Sequence, residues 1–368
     1  MNVGGPAVLV AQLAASLENN EFSHTLITGK CEGNEKDYLE NRQLPGKIVY
    51  IRQMSRSIMF WNELVAFVSL WRAIRAERPD LIHTHMSKAG VLGRLAARSA
   101  APQAELVHTY HGHLLYGYFP NWKTRIFVWV ERLLSHLTDQ LVAITEAVKD
   151  DLLAERIGKG EKWTVIRVGV EIEPLRQKSE VRDALGIHSD DFCMVWIGRF
   201  ADVKNPMLAL LSFKEFNGND KSVLIMVGDG DLREECELYS RTNALNVVYP
   251  GWADNVYKYL PAADLFLLTS KNEGMGMVIL EAATQAVPTL STNVGGIAEF
   301  IEDGATGFFA ESSAQKFASR LNELYKDTDL RKKVGDNARA HVTNEFSIKT
   351  FAKNHVDLYR FLLASKKF

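Results

Sequence analysis

The sequence predicts an α/β protein made of two similar halves, each with a parallel sheet covered by helices. Three observations lead to this fold class. Short apolar or β-branched runs alternate with amphipathic segments along the chain, which is typical of strands joined by helical crossovers. The 368 residues are too many for one ordinary core and suggest two domains of somewhat under 200 residues each. The same pattern occurs on both sides of a charged stretch that contains Pro174, without any sequence repeat.

In the first half, the β-branched and apolar runs predict strands, and the amphipathic segments between them predict helices. The predicted strands are 24–29, 47–52, 81–85, 105–112, 140–145 and 163–170, and the predicted helices are 6–18, 61–78, 88–99, 122–137 and 146–155.

The second half continues in the same style. Its predicted strands are 192–200, 222–230, 246–252, 264–270, 287–292 and 307–310. We therefore place the first domain at 1–171 and the second at 172–350. The last amphipathic segment has no strand after it and can cap either domain; we assign 351–368 to the first.

The chain opens directly on a glycine turn and a helix, "MNVGGPAVLVAQLAASL". An open α/β domain should instead begin with a strand that leads into its first loop. We therefore expect the first strand to be missing, through truncation or a misassigned start; the alternative is a sheet with one strand fewer.

Composition excludes several classes of protein. The formal net charge of −2 argues against a dedicated nucleic-acid binder, which would carry a basic excess. The three cysteines, Cys31, Cys193 and Cys236, have no metal-ligand spacing and fit a reducing compartment. No apolar run approaches the roughly 18–20 residues that span a bilayer. These features predict a cytoplasmic location.

Two glutamates frame a glycine-containing turn in "NEGMGMVILEA" (272–282). If a helix begins near Gly276, Glu273 and Glu281 are separated by roughly 12 Å of rise. Glycosidase carboxylates lie about 5–9.5 Å apart across one bond, so this pair is not expected to act on one bond. It suits two ends of an extended ligand with an anionic group at the helix start.

Two cations follow a buried strand in "VWIGRFADVKNP" (195–206). Arg199 and Lys204 would lie at the carboxyl end of that strand, where open sheets bind ligands. Together they can neutralise a diphosphate without a metal; the alternative is a solvated loop with two surface cations. "VGDGDL" (227–232) lacks the third glycine of a dinucleotide fingerprint.

Histidines cluster in the first half. His83 and His85 form an H-x-H pair, but no Asp, Glu or Cys near them is spaced to complete a metal site. We expect strand-end histidines to act as neutral hydrogen-bonding groups, with His111, beside Gly112, as the first candidate. His83 and His108 lie inside predicted strands and are expected to be satisfied core histidines.

Taken in order, "GRFADVKNP", "VGDGDL", "EGMGMVILEA" and "NVGGIAE" resemble the retaining glycosyltransferases of family 4. The resemblance covers essentially the whole chain and is most specific over 192–310, where the E-x7-E pair lies. It implies two facing Rossmann-like domains (the GT-B architecture), a nucleotide-diphosphate sugar as donor substrate, and neither a metal ion nor another cofactor. "HTHMSKAGVLGRLAAR" and "HTYHGHLLYGYF" are similar to bacterial members that build surface polysaccharides.

The resemblance also implies roles for individual residues. It assigns the donor diphosphate to Arg199 and Lys204, the donor sugar to Glu273, the ribose hydroxyls to Glu281, and the region near the anomeric centre to His111. Backbone groups complete the implied site: the amides of Gly274, Met275, Gly276 and Met277 would meet sugar and phosphate, and Gly4 and Gly5 would close over the diphosphate.

The acceptor is expected at the first domain, as a saccharide or a lipid-linked sugar. Residues 114–134 mix aromatic side chains with Lys123, Arg125 and Arg132, and Arg52, Arg56, Phe60 and Trp61 repeat that mixture. Such a surface suits peripheral contact with an anionic membrane, at the inner face of the cytoplasmic membrane. The alternative is that the aromatics are core residues.

Two other functions stay open. The chain can be a non-catalytic partner subunit that binds a nucleotide sugar, or another enzyme of the same architecture, such as an epimerase. An epimerase would not normally carry both the E-x7-E pair and the Arg/Lys loop.

Overall fold

A computed structural model describes residues 5–17, 22–31, 39, 44–54, 60–112 and 121–365. The chain divides into two compact units, one formed by Met1–Gly169 with Ile348–Phe368 and the other by Val170–Ser347. The predicted fold class is confirmed, because each unit contains a parallel sheet with helices packed against it.

The first unit carries six described strands and five helices before the chain passes to the second unit. In chain order they are α1 (Gly5–Leu17), β1 (Thr25–Thr28), β2 (Lys47–Tyr50), α2 (Phe60–Glu77), β3 (Leu81–His85), α3 (Ser87–Ala100), β4 (Glu105–Tyr110), α4 (Asn121–Leu137), β5 (Gln140–Ala143), α5 (Glu146–Ala154) and β6 (Trp163–Val165).

Strands β3, β4, β5 and β6 form a four-stranded parallel sheet in that order, and β1 pairs with β2 in a separate parallel sheet. Helix α3 packs on β3 and β4, and it also contacts α2 and α4. Tyr110, Leu141, Leu152 and Trp163 pack together in one hydrophobic cluster.

The second unit follows with α6 (Lys178–Leu185), β7 (Phe192–Ile197), α7 (Pro206–Glu215), β8 (Ser222–Val227), α8 (Arg233–Thr242), β9 (Val247–Gly251), β10 (Leu265–Leu268), α9 (Met277–Thr284), β11 (Thr289–Thr292), β12 (Phe308–Ala310), α10 (Ala314–Lys326) and α11 (Thr328–Glu345). The last helix, α12 (Ile348–Ser365), belongs to the first unit, where it packs against α1.

The sheet of the second unit has the order β12-β11-β10-β7-β8-β9, with every pairing parallel. Counted within this unit alone, that is the 3-2-1-4-5-6 arrangement of a Rossmann-type sheet. Its core is aromatic, built around Trp196, Phe200, Phe213, Phe308 and Phe317. The order reverses between β7 and β10, so their carboxyl ends mark the point where such sheets bind ligands.

Most predicted strands are confirmed to within two residues at each end, and β3 matches its predicted range. The strand predicted at 163–170 is too long, because β6 ends at Val165. The "NVGGIAE" segment forms a short 3₁₀ helix over Gly295–Glu299. None of the described helices combines the length and the apolar character that a bilayer crossing demands.

Candidate active site

The loop after β7 is held rigidly beside the loop after β8. Gly228 has a φ of +136°, and a Cβ built on it would lie 1.9 Å from the carbonyl oxygen of Gly198. The Phe200 amide donates to the Asp229 carbonyl over 2.9 Å. Only glycine permits so close an approach of Gly228 to the Gly198 carbonyl. The "VGDGDL" motif therefore fixes the position of the backbone that carries Arg199. The Arg199 side chain is exposed and has no ion pair among the described residues.

The same loop is anchored to β10 at its far end. Trp196 donates from Nε1 to Thr269 Oγ1 over 3.0 Å, and Thr269 Oγ1 donates in turn to the Asn205 carbonyl over 2.9 Å. Asn205 has a φ of +48° and precedes Pro206, the first residue of α7. The chain turns at this point because Asn205 tolerates a left-handed backbone and the fixed φ of Pro206 suits the first position of a helix.

This anchoring brings Lys204 to Glu273. Lys204 Nζ lies 2.5 Å from Glu273 Oε1, and Ser270 Oγ donates to that same oxygen over 2.7 Å. The Glu273 side chain is only 8% exposed, whereas that of Lys204 is 30% exposed. The two predicted residues, 69 positions apart, thus form one partly buried, charge-assisted contact at the switch point of the sheet.

The turn between Glu273 and α9 depends on two glycines. Gly276, which caps the helix, has a φ of +70°. Gly295 has a φ of +55°, and a Cβ there would lie 1.8 Å from the Glu273 carbonyl oxygen. The Gly296 amide donates to the Gly274 carbonyl over 3.1 Å. Two glycine turns therefore pack directly against each other.

The amides of this turn point to no acceptor within the described chain. The structure has no hydrogen bond donated by the backbone N–H groups of residues 274–277. Met275 turns its side chain into the core, where it is 2% exposed, so the predicted contact falls to its backbone. Unpaired N–H groups at a helix start favour an anionic ligand.

Glu281 lies one helical turn into α9, whose start agrees with the predicted start near Gly276. Because the helix begins at Met277, only about 6 Å of helical rise precedes Glu281. Its carboxylate has no hydrogen bond or ion pair among the described residues, and burial raises its pKa to about 7. Tyr257 lies nearby: burial raises the pKa of its hydroxyl well above the ordinary range, and the charge of Glu281 adds to that effect.

In the first unit, His111 follows β4 and contacts His85, which ends β3. Their Nε2 and Nδ1 atoms lie 3.0 Å apart. Burial, with a smaller contribution from the nearby His355, lowers the pKa of His111 to about 4. The other ring nitrogen of His111, Nδ1, is buried without a hydrogen-bond partner in the described chain.

The remaining predicted positions divide clearly. His83 and His108 are hydrogen-bonded inside the protein, as expected of core histidines: His83 to Tyr359 and Thr109, and His108 to Thr84. Gly5 is the first residue of α1, whereas Gly4 lies outside the described residues. Across the described ranges, no three His, Cys, Asp or Glu side chains converge to hold a metal ion.

Several residues around the site were not predicted. Ser270, which bonds Glu273, stands three residues before it in "LLTSKNE" and could have been found from that spacing. The role of Gly295 as a contact of the Glu273 turn has no local signal. The proximity of Tyr257 to Glu281 could be found only from the folded structure. His85 was noted only as half of an H-x-H pair.

Two family models match the chain. Residues 3–174 match the model described as Glycosyltransferase Family 4, and residues 177–341 match that described as Glycosyl transferases group 1. The UDP-Gal:alpha-D-GlcNAc-diphosphoundecaprenol alpha-1,3-galactosyltransferase of Escherichia coli is 28% identical over 362 residues, which are 95% of this chain and 92% of the relative. The Capsular polysaccharide biosynthesis glycosyltransferase CapM of Staphylococcus aureus is 24% identical, over 89% of this chain and 88% of the relative.

Solved structures agree with these matches. Anabaena Alr3699/HepE, crystallised with UDP and glucose, superposes with a TM-score of 0.82 at 21% identity, over 97% of this chain and 96% of that one. The sucrose-phosphate synthase of Thermosynechococcus elongatus gives a TM-score of 0.85 at 20% identity, over 99% and 94%. Together with the Rossmann-type sheet, these matches show that the chain belongs to the GT-B glycosyltransferases, with a family 4 first half and a group 1 second half.

Proposed function

We propose that this enzyme transfers a sugar from a nucleotide-diphosphate sugar to a hydroxyl of a saccharide or lipid-linked acceptor in surface polysaccharide synthesis, with retention of configuration and without a metal ion. The Escherichia coli and Staphylococcus aureus relatives, whose names specify a diphosphoundecaprenol-linked acceptor and capsular polysaccharide, support the acceptor class. The observation that carries the proposal is the convergence at the β7–β10 switch point of Lys204, Glu273 and unpaired turn amides.

The donor diphosphate is proposed to bind at this convergence. Arg199 and Lys204 supply two positive charges, and the amides of 274–277 supply donors fixed by the fold. These groups can stabilise the leaving diphosphate without a metal ion. They are in place before the reaction, so little reorganisation opposes charge development.

The carboxylates are proposed to hold the two sides of the donor. Glu273 is oriented by Ser270 and can accept hydrogen bonds from the sugar hydroxyls. Glu281, with no partner in the described chain, can accept from both ribose hydroxyls. His111 is proposed to contact the transferred sugar, and Gly4 and Gly5 to contact the diphosphate.

The chemical step requires no covalent enzyme intermediate. The bond between the anomeric carbon and the phosphate oxygen breaks, and the acceptor oxygen forms its bond on the same face through an oxocarbenium-like state. The acceptor proton passes to the leaving phosphate. Catalysis then rests on positioning and on charge stabilisation.

Helix α4 supports contact with a membrane, the expected source of a lipid-linked acceptor. Five apolar side chains lie within about 80° of the helix circumference and are 36% to 61% exposed: Trp122, Ile126, Trp129, Leu133 and Leu137. The core alternative is wrong for these residues. Lys123 and Arg125 are exposed beside them, and the helix's acidic residue, Glu131, is buried. An apolar stripe flanked by cations suits an anionic bilayer.

Vesicle flotation tests this surface. We expect the protein to float with vesicles that contain an anionic lipid. A variant with both Trp122 and Trp129 changed to Ser should no longer float with them. Phe361→Ser is the control, because Phe361 is 67% exposed on a different helix, α12. Equal flotation of the double variant and the control would remove the proposed surface.

Ligand-dependent unfolding tests the donor site. Midpoints are measured with millimolar UDP, GDP, ADP or dTDP, for the wild type and for Glu281→Ala. A ligand at about 100 times its dissociation constant adds about 2.7 kcal/mol. We expect a shift with one nucleotide, lost in the variant. No shift with any nucleotide contradicts the proposal.

Turnover tests the reaction class. The donor to use is the diphosphate sugar of the nucleotide that raises the unfolding midpoint. NMR of the product should show that the transferred sugar keeps the anomeric configuration it had in the donor. Activity should also survive EDTA. An inverted product refutes retention, and activity lost with EDTA and restored by a divalent ion refutes metal independence. Binding without turnover would point to the non-catalytic subunit, and a donor epimer without transfer would point to an epimerase.

A further inference from the structure

The two strand-end histidines of the first unit share a proton. Burial lowers the pKa of both rings, so both are neutral at pH 7. A neutral imidazole has one N–H and one bare nitrogen. Because His85 Nδ1 lies 3.0 Å from His111 Nε2, one of these atoms donates and the other accepts. The position of the proton on His111 is therefore tied to that on His85.

The His85 ring is itself held by a second histidine. Its centroid lies 4.1 Å from that of His83, with the rings tilted by 34°. His83 cannot rotate freely, because its Nδ1 lies 2.6 Å from Tyr359 Oη and its Nε2 lies 2.6 Å from Thr109 Oγ1. Tyr359 belongs to α12, so the C-terminal helix helps to fix this stack.

The far side of His111 is unsatisfied. Its Nδ1 is buried and has no hydrogen-bond partner in the described chain. Leaving a buried polar atom unpaired is unfavourable, and binding of a complementary group would recover that loss. Whether Nδ1 offers a proton or a lone pair depends on the tautomer, and hence on His85.

We propose that His85 is a positioning residue which, held by His83 and Tyr359, fixes His111 in one neutral tautomer and so gives Nδ1 a single hydrogen-bonding role toward the sugar substrate. The substrate part of this proposal rests on the proposed glycosyl transfer, whereas the tautomer is a property of the protein alone. The geometry resembles the way a buried partner holds a catalytic imidazole in the productive tautomer of other enzymes.

Long-range ¹H–¹⁵N spectra of the histidine rings test the tautomer without any substrate. We expect the wild-type His111 to show one protonated and one bare nitrogen, without averaging. His85→Phe keeps a ring in the stack but removes the nitrogen, so His111 should become a mixture of tautomers. His85→Asn places a polar atom near the former position of His85 Nδ1, so His111 should again show a single tautomer. His136→Phe, an exposed histidine of the same unit, is the control.

Steady-state kinetics tests the consequence. His85→Phe should lower kcat by at least about tenfold while leaving the donor KM within about twofold, and His85→Asn should recover most of the loss. A loss of kcat and KM together, without rescue by Asn, would indicate a merely structural role and overturn the proposal.

Two results in the spectra overturn it independently of catalysis: averaged tautomers in the wild type, or an unchanged single tautomer in His85→Phe. If His85→Phe does not fold, Tyr359→Phe replaces it, since it removes only the hydroxyl that holds His83, and the His111 signals should then broaden or average. A wild-type protein with one tautomer but no transferase activity would leave the positioning role standing and reject the proposed reaction.

Discussion

Glu281 should make stability and nucleotide affinity respond to pH in opposite directions. Its pKa is about 7 in the folded protein, against an ordinary value of 4.5, because burial disfavours the charged carboxylate. A raised pKa means that the folded state holds the proton more tightly than the unfolded state. Its contribution to stability is therefore fully present below about pH 4.5 and is lost as pH rises through about 7.

The magnitude follows from the same difference. It corresponds to about 3 kcal/mol in total, of which about 2 kcal/mol falls between about pH 5.5 and pH 8.5. Glu281→Gln keeps the shape but cannot ionise, so the variant should not show this loss. Equilibrium urea unfolding of both proteins across that range measures the difference, and Glu235→Gln, an exposed glutamate of the same unit, serves as control.

Nucleotide affinity should change the other way. A ribose needs the ionised carboxylate as acceptor, so the protein must first lose a proton below pH 7. Affinity for the donor nucleotide should rise about thirtyfold from about pH 5.5 to pH 8.5. Titration calorimetry on the wild type and Glu281→Gln separates this effect from titration of the nucleotide's own phosphate. Parallel pH profiles for the two proteins, in either stability or affinity, would refute the reasoning.

Three further substitutions, one of them paired with a control, test other parts of the structure. Arg199→Ala should raise the barrier by about 2–4 kcal/mol; a fall of less than tenfold in kcat would remove its role. Gly295→Ala should destabilise the protein by more than about 2 kcal/mol, because a Cβ there would lie 1.8 Å from a backbone oxygen. Gly304→Ala, at a φ of +75° with open space around it, should cost only about 1 kcal/mol in the same urea series. Glu131→Gln should cost about 3–5 kcal/mol, because it strands the fully buried Arg94; a loss under about 1 kcal/mol would show that the pair contributes little.

The sequence predicts strands best where both faces are buried. In the sheet of the second unit, apolar runs between glycine-rich turns leave little ambiguity. The end of β6 was missed because it depends on a partner. Val165 pairs with Ala143, the last residue of β5. The residues after Val165 therefore have no strand residue of β5 left to pair with. The Val170 amide instead bonds the Phe346 carbonyl, which no local pattern could indicate.

Site residues were predictable where the motif is local. Glu273, Gly276 and Glu281 follow one strand and were found together. The partners that orient them come from elsewhere in the chain: Lys204 reaches Glu273 across 69 positions, and Tyr257 approaches Glu281 from before β10. Such pairs depend on strand order, which the sequence did not specify.

The ion pair between Lys204 and Glu273 has a consequence for the order of binding. The Glu273 oxygen bonded to Lys204 also accepts from Ser270, so a sugar hydroxyl must compete for a carboxylate that is 8% exposed. An uncharged sugar cannot replace the charge of Glu273 beside Lys204, and separating a partly buried pair without replacement is unfavourable. A diphosphate can replace Glu273 as the partner of Lys204 and release the carboxylate. We therefore expect the free monosaccharide to bind at least about tenfold more tightly when a saturating nucleoside diphosphate is present. Calorimetry with and without the nucleotide measures this coupling, and Lys204→Met should abolish it; equal monosaccharide affinity under both conditions would show that the pair does not control access to Glu273.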